Sequence, residues 1–360
     1  MTIAETVTTA ARNAWALTFG PGVEAPEPTP STVLWDEPHR LLRRFEPAPA
    51  DSDTAVPFPG SLGSGPPVLL VPPLAAPATC FDLRPDQSVA RFLLDTGRSP
   101  YLVDYGEITF ADRRMGFEDW IDDILPEAIL RTSADRGGRA VDLVGWSIGG
   151  TLALLTAAAH AHLPIRSVTA VGAPLDYDEM TGIKQLRAVA KVTGGLGMST
   201  AVRAAGGVPA SLTRFGYKLT AWDRELTRPW FVASNITSTE ALAKMETIDR
   251  FMAEMPGYPG RFYNQLWGRF MRHNDIGRGG LRLGARRIEL AHVSAPVLLV
   301  GGPDDMITAA AAVAAGTRTL TGAELVRYET APGSHLGILA GPGARDSTWT
   351  YLDKFLGELA

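Results

Sequence analysis

The chain has 360 residues, of which 45% are hydrophobic and 20% charged, with a formal net charge of -5. That balance fits a globular protein with a sizeable core, built as one large domain with an insertion or as two domains. It argues against a nucleic-acid surface, and the single cysteine, Cys80, excludes an internal disulfide and a cysteine metal cluster.

The N-terminus, MTIAETVTTAARNAW, places Glu5 before the first arginine, Arg12, which is not the charge order of a secretory leader. No run approaches the roughly 18 uncharged apolar residues of a membrane span. A cytoplasmic location is expected. Residues 1–30 hold a helix and then a Pro-rich connector, LLRRFEP reads as an early strand, and residues 47–67 form a second loop.

A strand–helix rhythm follows. Val68–Val71 is a strand, SVARFLLDTG a helix stopped by Gly97, and YLVDY a strand. FEDWIDDILPEAIL is an amphipathic helix and VDLV a strand, followed by a helix expected over Thr151–His162. SVTAVGAP, APVLLVGG and ELVRYET are further strands, and STWTYLDKFLGEL is a closing helix. Alternating strands and helices predict an α/β class: an α/β-hydrolase fold with a mostly parallel sheet covered on both faces. The rhythm breaks between about Leu175 and Phe270. The expected organisation is a first core part over 1–175, with an extension over 1–30, a mostly helical cap over 176–270, and a second core part over 271–360. Most of the cap's aromatics (Phe215, Tyr217, Trp222, Trp230, Phe231, Phe262, Tyr263, Trp267) and its five methionines are expected to form its own core, a few lining an apolar pocket.

Gly145-Trp-Ser147-Ile-Gly149 sits between the VDLV strand and an Ala/Leu-rich helix. Gly-x-Ser-x-Gly in that context is a nucleophile elbow, a sharp turn that lifts the serine hydroxyl clear of the sheet. Ser147 is therefore the expected nucleophile, and the Ile148 N–H, first after it, an expected oxyanion donor. A serine needs a base. Of six histidines, His335 alone follows the last strand in a glycine-flanked loop, APGSHLGILAG. His39, His160, His162, His273 and His292 are expected at the surface or behind the site. In the order Ser…Asp…His, the acid follows the APVLLVGG strand, where Asp304 and Asp305 compete. Spacing from Gly301 favours Asp304. Pro72 and Pro73 lack N–H groups, so Leu74 is the expected second oxyanion donor. Cys80 reads as a small buried residue. No metal-ligand spacing and no cofactor motif is found, and GGLG at 194–197 lacks the context of a phosphate loop.

With these pieces placed, the chain resembles the polyhydroxyalkanoate synthases, and most the short class that works with a partner subunit. The matching stretches include TPSTVLWDEPHRLLRRFEP, FDLRPDQSVARFLLDTGRSPYLVDYG, ADRRMGFEDWIDDILPEAI, the elbow, LRLGARRIELAHVSAPVLLVGGPDDMI and APGSHLGILAG. They run from about residue 29 to the C-terminus and are weakest through the insertion. The resemblance implies an α/β-hydrolase-fold enzyme that moves hydroxyacyl groups from CoA thioesters onto a polyester, with catalytic residues at Ser147, Asp304 and His335. It also implies self-association or a partner subunit. Three positions depart from the family's pattern. Ser147 stands where cysteine is usual, Ile148 where glutamine is common, and Asp305 where histidine often follows the aspartate. A serine ester is lower in energy than a thioester, which suits hydrolysis or a single transfer better than repeated extension. The expected function is serine-nucleophile acyl transfer on an ester or acyl-CoA thioester. The alternatives are a true synthase polymerising 3-hydroxyacyl-CoA and a non-catalytic hydrolase-fold binding protein.

Overall fold

The computed structural model describes residues 2–47, 65–180, 196–220 and 222–359, together with 182, 183, 185, 187 and 188. Most of the loop expected over 47–67 lies outside these residues. So do Gly194, Gly195 and the side chains of Tyr217 and Trp222.

Among the described residues, eight strands form the central sheet: β1 (Ser31–Trp35), β2 (Leu41–Phe45), β3 (Pro67–Val71), β4 (Ser99–Asp104), β5 (Val141–Trp146), β6 (Ile165–Val171), β7 (Val297–Gly301) and β8 (Val326–Thr330). Their order is β1-β2-β4-β3-β5-β6-β7-β8. β1 and β2 pair antiparallel with each other, and β2 pairs antiparallel with β4; every pairing from β4 to β8 is parallel. The parallel strands therefore end at one common edge, where the loops that carry function emerge.

β3 and β7 are apolar in unbroken runs because both faces are covered. Leu69, Val71, Leu143 and Leu299 face a core that includes helix Leu125–Asp135 and helix Ile148–Ala159. Val68, Leu70, Val144, Leu298 and Val300 face the opposite core, with helix Val89–Asp95 and the closing helix Thr350–Glu358. β1 was not anticipated as a strand. It is an edge strand whose burial is patchy, with Val33 exposed and Trp35 buried, so it carries little periodic signal. FEDWIDDILPEAIL is helical, but its turns widen over Trp120–Ile124. The elbow helix starts three residues earlier than expected and stops at Ala159, leaving His160 and His162 beyond it.

Between β6 and β7 the described residues are mostly helical: Leu196–Ala205, Ala210–Thr220, Trp222–Ser234, Thr239–Ala253 and Gly260–Gln265, the last continuing into a widened turn over Leu266–Arg272. A hairpin of Gly280–Leu283 and Arg286–Glu289, unanticipated from the sequence, precedes β7. The N-terminal helix Ile3–Phe19 is capped by Thr2 and tied to this region by the Asn13 amide, which donates to the Ile236 carbonyl. Among the described residues, no helix is long and apolar enough to cross a membrane.

Candidate active site

Ser147 joins β5 to the elbow helix with φ 54° and ψ -133°. An L-residue adopts that backbone only under constraint. The constraint is visible. The Ser147 N–H donates to the Val171 carbonyl of β6 at 2.8 Å, pinning the turn to the neighbouring strand. The chain then doubles back so tightly that a Cβ at Gly145 would lie 2.5 Å from Gly150 Cα. A Cβ at Gly149 would run into the carbonyl oxygens of Val71 and Pro72, the latter at 2.7 Å. Glycine at these positions is thus a packing requirement of the elbow.

His335 lies in the loop after β8, at the same sheet edge. Its Nε2 is 2.9 Å from Ser147 Oγ and its Nδ1 is 2.6 Å from Asp305 Oδ2. The imidazole is only 5% exposed, and the Asp305 carboxylate side chain is fully buried. The other carboxylate oxygen of Asp305 accepts the N–H groups of Ile307 at 2.8 Å and Thr308 at 2.9 Å. The carboxylate is thereby fixed from both ends. The Trp146 indole N–H, which sequence reasoning had not singled out, donates to the His335 carbonyl at 3.0 Å. Its ring lies 5.1 Å from the imidazole.

The carboxylate that meets His335 is that of Asp305, where the sequence spacing favoured Asp304. Counting from Gly301 failed because Gly302 still bridges to Ala309, so the loop opens one residue later. The Asp305 N–H then turns back onto the Gly302 carbonyl at 3.2 Å, which sends Asp304 outward and Asp305 inward. A usable signal was present: in Asp305-Met-Ile-Thr308 the carboxylate takes the N–H groups two and three residues on, the habit of a short polar turn residue.

Ile148 opens the elbow helix, so its N–H has no carbonyl partner within that helix. Leu74 is buried in the loop after β3, the loop whose Pro72 carbonyl crosses the helix's first turn at Gly149. Cys80 is fully buried, and burial, with the nearby Asp104 charge, pushes its thiol well above the usual range, so a thiolate is disfavoured. Two other histidines are structural ties. His39 bonds the Tyr105 carbonyl and Asp112, and His160 bonds Asp122.

Beside His335 opens a cavity of about 650 Å³. Trp146, Met245, Phe251, Met252, Met255 and Leu336 give it an apolar wall; Arg228, Lys244 and Asp304 are its charged members. Of the insertion's aromatics, Phe231 and Phe251 line it. Phe262 and Trp267 are instead buried in packing, Phe262 stacked on Phe117 at 4.0 Å between ring centroids.

The strand order and the strand–turn–helix elbow define an α/β-hydrolase fold. Solved structures with this fold bear it out. The monoacylglycerol lipase of Paleococcus ferrophilus superimposes with a TM-score of 0.50 at 17% identity, over 82% of this chain and 97% of that one. Mouse alpha/beta hydrolase domain-containing protein 10 does so with a TM-score of 0.51 at 14% identity, over 92% and 100%. No protein-family model matches the sequence. Among sequence relatives, the poly(3-hydroxyalkanoate) polymerase subunit PhaC of Allochromatium vinosum is 23% identical over 332 residues, 92% of this chain and 89% of that one. PhaC of Thiocystis violacea is 22% identical over 335 residues, 92% and 88% of the two chains. PhaC of Cupriavidus necator is 27% identical over 304 residues, but only 49% of that longer chain is spanned. The chain thus has an α/β-hydrolase fold, and over most of its length it is similar to curated polyhydroxyalkanoate polymerase subunits.

Proposed function

We propose that the chain is an acyl-transfer enzyme acting on an ester or acyl-CoA thioester through an acyl-Ser147 intermediate. The observation that carries this reading is the continuous relay from Ser147 Oγ through His335 to Asp305. Asp305 accepts the Nδ1–H of His335, which leaves Nε2 free to take the Ser147 proton as Oγ attacks the carbonyl carbon. The C–O or C–S bond to the leaving group then breaks, and His335 returns the proton to it. The same histidine deprotonates the acceptor that resolves the acyl-enzyme. The N–H groups of Ile148 and Leu74 are assigned to the oxyanion, where losing one such donor costs on the order of 3 kcal/mol. The helical stretch 176–270 acts as a cap that lends the acyl chain its apolar wall. The acceptor is water or an alcohol.

A second reading, true polymerisation of 3-hydroxyacyl units, is favoured by the polymerase relatives that match almost the whole chain. One incubation with 3-hydroxybutyryl-CoA separates the two. CoA release with free acid supports hydrolysis, and CoA release with insoluble polymer supports polymerisation. Mass spectrometry of the intact protein then locates the adduct on Ser147. Full activity of Ser147→Ala on both p-nitrophenyl esters and acyl-CoAs would refute either reading.

A further inference from the structure

A second cavity, of about 440 Å³, has no role in the relay. Five of its ten wall residues are arginines, Arg113, Arg114, Arg203, Arg261 and Arg269, and none is acidic. In a chain of net charge -5 this local excess is not a general surface property. Two of the five have carboxylates nearby: Arg261 pairs with Glu118 at 2.7 Å, and Arg269 lies 3.8 Å from Asp275. Arg113 donates to the Phe110 carbonyl and lies over the Phe110 ring, 4.6 Å from its centroid. Arg114 and Arg203 form no ion pair among the described residues. The wall is also shaped. Phe110 packs where a side chain on residue 206 would be, so Gly206, with φ 74°, is what lets ring and guanidinium sit there. The buried amide oxygen of Asn264, another wall residue, has no hydrogen-bond partner. An end-for-end turn of that amide brings an N–H donor to the same point.

Forked guanidinium groups converging on a cavity whose wall residues include no acid are suited to phosphate, which they grip with paired charge-assisted hydrogen bonds. The cavity is of the size that small ligands fill. Arg113 and Arg114 lie in the turn Phe110–Arg114, in the connection that leaves β4 at the sheet edge where β5 also ends. We propose that this cavity binds the phosphate groups of the nucleotide end of a CoA thioester, while its acyl end lies at Ser147. The proposal rests on the acyl-CoA reading above.

The test uses the full chain with Arg114→Gln/Arg203→Gln, two exposed side chains without ion-pair partners, after circular dichroism shows an unchanged fold. Two measurements are made. The first is the ratio of KM for 3-hydroxybutyryl-CoA to KM for the corresponding N-acetylcysteamine thioester, which lacks phosphate. Charge-assisted hydrogen bonds to two arginines predict a rise in that ratio of tenfold or more. A ratio that stays within twofold overturns the proposal. The second is calorimetric binding of inorganic pyrophosphate and of CoA. Loss of both in the variant supports the site, and pyrophosphate binding that survives in it overturns it. If the wild type cleaves esters but no thioester, the acyl-CoA reading has failed. The pyrophosphate arm then decides on its own: binding lost in the variant keeps a phosphate site with another source, and no binding to wild type removes it.

Discussion

Asp305→Asn is the sharpest probe of the proposed relay, because the neighbouring Asp304→Asn makes the same chemical change on the wrong side of the turn. Asp305 bonds His335 through one oxygen and two backbone N–H groups through the other. In Asp305→Asn the amide oxygen keeps the backbone pair, since only an acceptor fits there. The NH2 then faces His335 Nδ1 and forces that nitrogen to accept. The proton moves to Nε2, which can no longer accept one from Ser147. The loss expected from a wrong tautomer held in otherwise intact geometry is about 10⁴-fold in kcat, equivalent to roughly 5 kcal/mol. Asp304 is exposed at the cavity rim, and its Asn variant is expected to lower kcat by no more than about threefold, under 1 kcal/mol. The assay is steady-state hydrolysis of a p-nitrophenyl ester, with thermal melts to show that both variants fold. The assignment fails if Asp305→Asn stays within tenfold of wild type, or if Asp304→Asn matches its loss.

Other perturbations read the elbow and its support. Ser147→Gly and Ser147→Ala both lose the bond to His335, but only glycine relaxes the positive φ. With strain of about 1–3 kcal/mol set against the entropy of an added glycine, Ser147→Gly should be more stable than Ser147→Ala by about 1 kcal/mol in urea unfolding. Gly149→Ala drives a methyl group into two backbone carbonyls that cannot move independently of the sheet; a loss of about 1–3 kcal/mol in the same assay, with reduced turnover, is expected. Asp142, fully buried in β5, takes hydrogen bonds from Arg166 Nε at 2.9 Å and Ser167 Oγ at 2.6 Å. Asp142→Ala removes the acceptor of both and leaves Arg166 only its bond to the Leu359 carbonyl, at a cost of about 3 kcal/mol, seen as a lowered melting temperature. Burial would raise the Asp135 carboxyl, but hydrogen bonds from Tyr101 and Arg44 outweigh it and hold the group below its ordinary 3.8. A depressed carboxyl adds stability at neutral pH that is lost as pH falls through the folded value, so Asp135→Asn should flatten the acid side of the stability–pH curve.

The elements legible in the sequence are those whose physics is local. β3 and β7 are buried on both faces, so each is an uninterrupted apolar run that needs no partner to be recognised, and β5 departs from that pattern at Asp142. Ser147 and His335 were legible for a related reason: a strand–turn–helix junction and a loop after the last strand are positions in chain order. The choice between Asp304 and Asp305 was not of that kind. It depends on whether Gly302 is still held by Ala309, a contact that spacing does not reveal. The apolar cavity was only half legible, because Phe231 and Phe262 look alike in sequence while one lines the cavity and the other stacks on Phe117. The arginine cavity was invisible, since its walls come from segments as far apart as Arg113 and Arg269 and share no motif.

The relay proposed for Ser147 does not by itself choose an acceptor. His335 serves water and alcohol alike, and its low exposure means that either must come to it through the site rather than from bulk solvent. The chemistry at residue 147 weighs against repeated extension, because an acyl ester on serine sits below the thioester from which it formed, so its onward transfer to an alcohol lacks the driving force a thioester would keep. The architecture weighs the other way. The apolar wall of Met245, Phe251, Met252 and Met255 shares a cavity with His335, and under the proposed function an extended acyl chain bound there would exclude water. The two influences act at different atoms, one on the energy of the acyl-enzyme and the other on the local concentration of competing acceptors. Under the proposed mechanism, the partition between free acid and longer ester is therefore set by how fully the cavity is occupied. It should shift toward transfer as the acyl chain lengthens, with the relay itself unchanged.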